Sequence, residues 1–487
     1  MMLLTFFALG LRFCRLSNQS LWTDEVSSVT TARSPYRKLV ELSASLNNSP
    51  PTYFLLLRPL VISSDKNIEV RARCLSALAG GFSVPLFLIL IYLWRRSWPI
   101  AFFGGSLLAV NPLHLWYSQE VRAYALMLFF GLGALLAHEC ARISRPQAWR
   151  RVYVLSAALA IALHKTGLVF PLACALWDGW EVLRNRTGWR VLFPHAIVFL
   201  LASVILVQPS YPPTKEYGRP SSFLELAYTA MTFIGGYSFG PSVTEIQSYG
   251  PVAAVSRHPI QVGILLAAIL LSLFVCARQI RLLPSSKGAQ LCALSVGLVA
   301  LAALVSAFPY NVRYALPGLL GFLALVAVLG AGGAGGVGAR LTLLVLLTIG
   351  LWADGQWLFN SRYRKGDSRA VAQWLIDNKA QIRSWTVLPD YLRVSIEFYL
   401  RAHDDLLARI QPPKAAQTTS FPPTPDVLIL GRRHHLIQPD QLVAAYHKAV
   451  GQVKYVPDFA GFELYAREPS SSASIPADSS NRFSVRE

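Results

Sequence analysis

Charged residues are scarce in this chain. Only 15% of its 487 residues are Asp, Glu, Lys or Arg, whereas 53% are hydrophobic and the mean hydropathy is +0.41. Soluble domains carry about 25% charged residues, so this composition excludes an ordinary soluble enzyme of this length. It predicts a polytopic α-helical membrane protein.

Among the charged residues, acidic residues are scarcer than basic ones. The chain has 26 Asp and Glu residues against 45 Lys and Arg residues, which gives a formal net charge of +19. A membrane protein concentrates Lys and Arg in its cytoplasmic loops, so this excess needs no polyanionic partner. We therefore expect the lipid bilayer as a partner and no nucleic acid.

Cysteine is rare, and no two cysteines have the CxxC spacing of a zinc or redox motif. The six cysteines lie in or beside apolar segments, at positions 14, 74, 140, 174, 276 and 292. We expect them to be small residues of a helical core. No internal repeat is evident either, which argues against a transporter built from duplicated halves.

About eleven apolar windows approach the length that crosses a hydrocarbon core of ~30 Å. They lie near residues 1–16, 76–94, 98–113, 121–141, 152–164, 166–181, 191–208, 260–277, 289–308, 314–333 and 340–354. Basic residues occupy alternate connections, which predicts that those connections are cytoplasmic. The first window is short, so either Arg12 and Arg15 snorkel to the interface or the span begins earlier; we interpret it as a membrane anchor.

The longer outer segments are predicted to carry structure of their own. About 60 residues follow the first window, and we expect interfacial helices over 24–46 and from Pro50-Pro51 onward. Residues 1–355 would form the membrane domain, and 356–468 a small extracytoplasmic α/β domain. Its strands are predicted near 385–388, 427–430 and 462–465, and its helices over 368–378 and 441–450. The Ser-rich stretch 469–487 is predicted to be disordered.

Asp24 and Glu25 follow the first window on the predicted outer side. Two adjacent carboxylates at the edge of a bilayer are costly to desolvate, so they should face a wet cavity or a partner. That makes them a hypothesis for a functional site. A solvated pair that caps the next helix is the alternative.

Other outer helix ends hold further candidates. Glu120, Arg122 and Tyr124 lie in a segment denser in polar and aromatic groups than a turn requires, and Arg313-Tyr314 repeats the pattern later. The planar guanidinium suits phosphate oxygens, so both arginines are candidates for holding an anionic headgroup. Lys165 is a third candidate cation. Interfacial anchoring and snorkelling remain the alternatives.

Five motifs together resemble the membrane glycosyltransferases of the GT-C class. They are Trp22-Thr23-Asp24-Glu25, Pro50-Pro51-x-Tyr53, Arg73-x-x-Ser76, Ser118-Gln119-Glu120-x-Arg122-x-Tyr124 and Arg313-Tyr314-x-x-Pro317. The similarity is closest to the branch that includes protein mannosyltransferases and the aminoarabinose transferase of lipid A. It covers about residues 1–355.

The resemblance implies a GT-C fold in a bacterial plasma membrane and transfer of a sugar from a polyprenyl-phosphate carrier to an acceptor hydroxyl, with inversion, at the extracytoplasmic face. The acceptor would be a protein, a glycolipid or a polysaccharide. Asp24 would be the general base, and Glu25 would orient the acceptor or bind a cation, or exchange roles with Asp24. The carrier-phosphate site would comprise Glu120, Arg122, Tyr124, Lys165, Arg313 and Tyr314.

The residues predict no cofactor. Ser49 precedes Pro50-Pro51 where relatives often carry His, so no metal ligand carries over, although the resemblance is compatible with a divalent cation. Two other functions stay open. A transporter or flippase of lipid-linked sugars would need polar residues along the middle of several spans, and a non-catalytic scaffold could retain the same fold.

Overall fold

The computed structural model describes residues 1–45, 49–144, 146–206, 223–278, 287–305, 311–330, 337–411, 424–432, 436, 439–457 and 459–468. The chain divides into two compact units, Met1–Asp367 and Ser368–Glu487. The predicted boundary after residue 355 stays a prediction. The predicted disordered stretch 469–487 lies outside the described residues.

The first unit is built from helices. They are α1 Met2–Phe13, α2 Thr23–Arg33, α3 Tyr36–Ser45, α4 Thr52–Val61, α5 Ile68–Arg95, α6 Trp98–Ala109, α7 Pro112–Ser118, α8 Tyr124–Ile143, α9 Pro146–Leu163, α10 Val169–Leu183, α11 Phe193–Leu206, α12 Phe223–Gly235, α13 Val243–Tyr249, α14 Pro251–Ser256, α15 Pro259–Arg278, α16 Lys287–Val305, α17 Leu316–Gly330 and α18 Val337–Phe359. Short 3-10 helices occupy Lys165–Leu168, Trp189–Leu192, Val312–Ala315 and Ser361–Tyr363.

Every predicted apolar window overlaps a helix in its described part; positions 207–208, 306–308 and 331–333 lie outside the described residues. Among the described residues, six helical stretches are long and apolar enough to cross a membrane: Ile68–Arg95, Tyr124–Ile143, Trp189–Leu206, Pro259–Arg278, Val312–Leu329 and Arg340–Phe359. Shorter apolar helices occur at Met2–Phe13, Thr52–Val61, Trp98–Ala109 and Gln290–Ala302. The mostly helical membrane architecture is confirmed, while the count of about eleven crossings stays a prediction.

The segment between α1 and α5 is helical, with one break that the sequence interpretation missed. The stretch predicted as a single helix over 24–46 is divided into α2 and α3 at Ser34-Pro35. Ser34 has extended backbone angles, as a residue before proline does. Helix α4 begins directly after Pro51, where the sequence predicts it.

Arg12 does not snorkel to an interface. Its side chain is fully buried, and its guanidinium donates to the carbonyl oxygens of Leu108 and Ala109, at 3.2 and 2.9 Å. These carbonyls lie at the end of α6, where backbone oxygens have no partner within their own helix. Arg12 therefore stabilises the contact between α1 and α6, because a cation at a helix C-terminus is favourable.

The second unit contains a four-stranded sheet with strand order β1-β2-β4-β3. The strands are β1 Trp385–Leu388, β2 Val427–Gly431, β3 Val453–Val456 and β4 Phe462–Arg467. Only the pair β1 and β2 is parallel. The helices are α19 Ser368–Asp377, α20 Arg393–Leu400, α21 Asp404–Leu407 and α22 Pro439–Val450. The sequence missed β3, whose four residues are partly or fully exposed and give little apolar signal.

Candidate active site

Asp24 lies where two arginines from distant parts of the chain converge. Its Oδ2 accepts hydrogen bonds from Arg313 Nη1 at 2.9 Å and Arg122 Nη2 at 3.3 Å. The two arginines stand 289 and 98 residues further along the chain. The Asp24 side chain keeps 29% of its surface exposed, so this ion-pair cluster is accessible from outside. The three residues that the sequence predicts to cooperate therefore meet at one point.

Short turns at helix ends hold Arg122 and Arg313 in place beside Asp24. Arg313 lies in the 3-10 helix Val312–Ala315, which opens α17, and the Asn311 side chain caps that turn by accepting from the Arg313 amide. Arg122 lies in the short turn between α7 and α8, and it also contacts Ser28 Oγ on α2 at 3.4 Å. A guanidinium fixed at a helix end is pre-organised, so little side-chain entropy is lost when it binds an anion.

Glu25 lies beside Asp24 but is fully buried. Its carboxylate accepts from Arg73 Nε at 2.8 Å, from Arg73 Nη2 at 2.6 Å and from the Val121 amide at 3.0 Å. Burial raises the pKa of this carboxyl, but the charges of Arg73 and Lys365 and these hydrogen bonds more than offset it, so the net pKa is lowered. This geometry favours a structural role for Glu25 over direct contact with an acceptor.

Lys365 is a member of the site that the sequence interpretation missed. Its ammonium is buried and lies over the rings of Trp116, Trp22 and Trp357, at 4.9, 5.2 and 5.9 Å from their centroids. Aromatic faces attract a cation most strongly when water is excluded. The one sequence signal was its place shortly after the last apolar window, on the predicted outer side.

Glu120 is the carboxylate nearest to Lys365. Its Oε1 accepts from Trp22 Nε1 at 3.1 Å and lies 3.9 Å from Lys365 Nζ, while Glu25 Oε2 lies 4.0 Å from the same nitrogen. Burial raises the pKa of Glu120; Lys365 opposes this, and the neighbouring charges of Glu25 and Asp24 add to it, with a net increase. Glu120 therefore takes up a proton more readily than an exposed glutamate.

Aromatic rings form one wall of the site. Tyr124 packs against Tyr117 with centroids 5.1 Å apart and against His164 at 4.9 Å. His164 in turn stacks on Tyr314 at 6.0 Å. Lys165, the next residue, opens the 3-10 helix Lys165–Leu168, and its pKa is lowered by partial burial. His164, the neighbour of the predicted site residue Lys165, thus packs against Tyr124 and Tyr314.

The charges of the site favour an anionic ligand. The cations are Arg73, Arg122, Arg313 and Lys365, and the carboxylates are Asp24, Glu25 and Glu120. A cleft with excess positive charge and low-dielectric walls concentrates anions. Protonation of Glu120 would increase that excess.

A second polar cluster includes His138, near the end of α8 opposite to Tyr124, and it has ligand atoms of the kind that bind metals. Donor atoms of His138, Asp178 and His195 all lie within 4.8 Å of one another, and this is the one such group in the described part of the chain. Asp178 Oδ2 lies 3.0 Å from each histidine Nε2, and Arg142 donates to its Oδ1 at 3.0 Å. These contacts pair both oxygens of Asp178 within the protein, so the same residues also form a hydrogen-bond network.

Comparisons with known proteins were made by sequence and by structure. Neither a protein-family model nor a curated protein matches the chain. Among solved structures, apo ArnT from Cupriavidus metallidurans aligns with 96% of this chain and 97% of its own, with a TM-score of 0.50 and 13% identity. The chain has a GT-C fold. The GT-C resemblance of the motifs is thereby confirmed at the level of the fold.

Two further structures match with lower TM-scores. ArnT from Cupriavidus metallidurans bound to undecaprenyl phosphate aligns at 14% identity, 98% of this chain and 99% of its own, with a TM-score of 0.48. The archaeal oligosaccharyltransferase AglB from Archaeoglobus fulgidus, in complex with an inhibitory peptide and a dolichol-phosphate, aligns at 12% identity, 98% of this chain and 74% of its own, with a TM-score of 0.46. At 14% and 12% identity, neither match assigns a role to an individual residue of this chain.

Proposed function

We propose that this chain is a membrane glycosyltransferase that transfers a sugar from a polyprenyl-phosphate carrier to an acceptor hydroxyl, with inversion, at the extracytoplasmic face. The observation that carries the proposal is the contact of Asp24 with Arg122 and Arg313 in a GT-C fold. A base and two phosphate-binding cations are the groups that such a reaction requires.

The arginines would bind the phosphate of the carrier. A sugar linked to a polyprenyl phosphate carries one negative charge, and a second develops on the phosphate as the sugar leaves. Guanidinium groups stabilise that developing charge, and a donor of this kind typically contributes a few kcal/mol to the transition state. The carrier phosphate would compete with Asp24 for Arg122 and Arg313, and the freed carboxylate would turn to the acceptor.

The chemical step would be a single displacement. The acceptor oxygen forms a bond to the anomeric carbon while the bond from that carbon to the phosphate oxygen breaks, and the electron pair stays on the phosphate. Asp24 takes the proton of the attacking hydroxyl. Attack from the side opposite the leaving group inverts the anomeric centre.

The remaining residues would shape this site. Glu25 would hold the start of α2 against Arg73, so that the Asp24 carboxylate stays beside Arg122 and Arg313. Glu120, whose pKa is raised by burial and lowered in part by Lys365, would accept hydrogen bonds from sugar hydroxyls. We place Tyr124, Tyr314 and Lys165 beside the carrier phosphate, where the two rings flank His164.

Transfer can be measured with the purified chain in lipid nanodiscs. The probes are undecaprenyl-phosphate-linked sugars, radiolabelled in the sugar, and the acceptors are envelope extracts of a strain that lacks this chain. The Asp24→Asn variant keeps shape and hydrogen bonding but cannot take the proton, so we expect kcat to fall roughly 10²–10⁴-fold. Donor binding should persist.

The matched control is Asp65→Asn. Asp65 is another carboxylate of the segment between α1 and α5, half exposed and paired with Arg33 at 2.6 Å, so its loss should leave transfer unchanged. Full activity of Asp24→Asn would refute the assignment of the base. Movement of the labelled lipid across the bilayer without transfer would instead support a flippase, and neither activity with any donor would support a scaffold.

A further inference from the structure

A cavity of about 670 Å³ opens between α9 and the stretch that leads into α11. Three arginines line one end of it: Arg150 and Arg151 from α9, and Arg190 from the 3-10 helix Trp189–Leu192. Apolar side chains line the rest, among them Val154, Leu155, Ala158, Phe193, Ile197 and Leu201. The cavity therefore has one cationic end and one apolar trough.

The three arginines have no partner in the described part of the chain. Neither a hydrogen bond nor an ion pair joins Arg150, Arg151 or Arg190 to a described residue, whereas Arg142 and Arg186 nearby pair with Asp178 and Glu181. Three guanidinium groups around one cavity repel one another. An anion between them would relieve that repulsion and accept their hydrogen bonds.

The trough has the dimensions of a lipid tail. Along α9, the lining residues recur at helical spacing from Gln147 to Ala158, which is about 16 Å at 1.5 Å per residue. Leu155 and Phe193 remain 62% and 64% exposed, so the trough opens to the side of the helix bundle. Water would not wet these groups favourably, and a free phosphate would leave them uncovered.

The cavity is separate from the candidate active site. His164, which packs on Tyr124 and Tyr314, follows the far end of α9, about 21 Å along the helix from Arg150. The positive-inside pattern assigns the arginine end to the cytoplasmic leaflet. Anionic phospholipids of that leaflet attract basic groups at the surface.

We propose that this cavity is a binding site for an anionic phospholipid, with the lipid phosphate between Arg150, Arg151 and Arg190 and one acyl chain in the trough. The inference does not depend on the proposed transferase activity. Its expected consequence is a local preference for phosphatidylglycerol over a zwitterionic lipid with the same acyl chains.

Native mass spectrometry of the full chain in detergent can measure this preference. Phosphatidylglycerol and phosphatidylcholine with identical tails compete for the protein, and we expect roughly tenfold more retained phosphatidylglycerol. The triple variant Arg150→Gln, Arg151→Gln, Arg190→Gln should reduce the ratio to near one. The control triple Arg184→Gln, Arg278→Gln, Arg340→Gln removes the same charge from exposed arginines that do not line the cavity, and it should retain the preference.

Two further experiments test whether the trough holds the acyl chain and whether the bound anion is a lipid or a soluble phosphate. Ala158→Phe fills the trough while keeping all three arginines, so it should also abolish retention of phosphatidylglycerol. Glycerol 1-phosphate at millimolar concentration should not displace the lipid, because it has no tail. The proposal is overturned if the two triple variants lose the preference equally, if Ala158→Phe binds like the wild type, or if the soluble headgroup competes fully.

Discussion

Replacement of Glu25 by Gln should cost the protein stability, whereas replacement of its neighbour Asp24 should cost activity. The Glu25→Gln change keeps the shape of the side chain, and the new amide oxygen could still accept from the Val121 amide. The change removes the negative charge that faces Arg73 at 2.6 and 2.8 Å. Arg73 is only 3% exposed, so its charge would remain buried after the loss of the Glu25 carboxylate.

The magnitude follows from what Arg73 retains. Removal of one partner of a buried ion pair typically destabilises a protein by about 3–5 kcal/mol. Arg73 would still donate to the carbonyl oxygens of Leu16 and Gln19 at 2.8 Å and of Ser20 at 2.9 Å. We therefore expect the lower end, about 3 kcal/mol. For a chain of this length that corresponds to a Tm lower by roughly 3 °C.

The pH dependence of this loss has a definite sign. The pKa of Glu25 is lowered in the folded state, so its carboxylate contributes stability above the unfolded-state pKa of about 4.3 and loses it as pH falls through the folded-state pKa. The difference in Tm between wild type and Glu25→Gln should thus be constant from about pH 5.5 to 8. It should shrink only below about pH 4.

Tryptophan fluorescence during heating in detergent measures this difference. The control is Glu41→Gln, which breaks an exposed pair with Arg37 at 3.5 Å in which the two side chains are 64% and 95% exposed. That change should cost less than about 0.5 kcal/mol. If Glu25→Gln and Glu41→Gln unfold at the same temperature as wild type, or if the Glu25 penalty vanishes near pH 7, the structural assignment of Glu25 is wrong.

Two further substitutions test the cations of the site. Arg313→Gln should lower kcat/KM for the labelled sugar-lipid by about 10²–10³-fold, because it removes a cationic hydrogen-bond donor to the leaving phosphate. Arg313→Lys should recover part of this loss. Equal activity of the wild type and both variants would exclude contact between Arg313 and the phosphate. Lys365→Met should lower Tm more at pH 8 than at pH 5. Loss of the ammonium would raise the pKa of Glu120 further. A folded protein with a raised carboxyl pKa loses stability as pH rises through that pKa, so the penalty grows with pH. A penalty independent of pH, in the same heating assay, would contradict this coupling.

The convergence of Asp24, Arg122 and Arg313 could be predicted because the apolar windows and the basic loops between them together predict which helix ends lie on the same side. Alternating basic loops placed all three at outer helix ends, and the structure brings them within 3.3 Å. The distances themselves could not be predicted. They depend on how α2, α8 and α17 pack, and a pattern of apolar windows carries no information on which helices are neighbours.

The contacts of Lys365 and Arg73 could not be predicted from the sequence for a different reason. Lys365 was assigned to the outer domain because hydropathy falls after the last window, yet the chain continues into the site beyond that point and the ammonium reaches Trp116 and Trp357. Arg73 was noted as part of a motif without a role. A buried ion pair is indistinguishable in sequence from two solvated charges, since burial depends on tertiary packing.

The different environments of the Asp24 and Glu25 carboxylates follow from helix geometry. Both lie in the first turn of α2, where successive side chains point about 100° apart. When the Glu25 side chain turns inward to Arg73, Asp24 must face a different direction, here the partly exposed side with Arg122 and Arg313. The two carboxylates therefore cannot exchange roles without rotating α2, and that rotation would expose the buried Arg73. A feature that looks like a symmetric acidic pair in the sequence is, in the folded chain, one buried carboxylate paired with Arg73 and one partly exposed carboxylate beside two arginines.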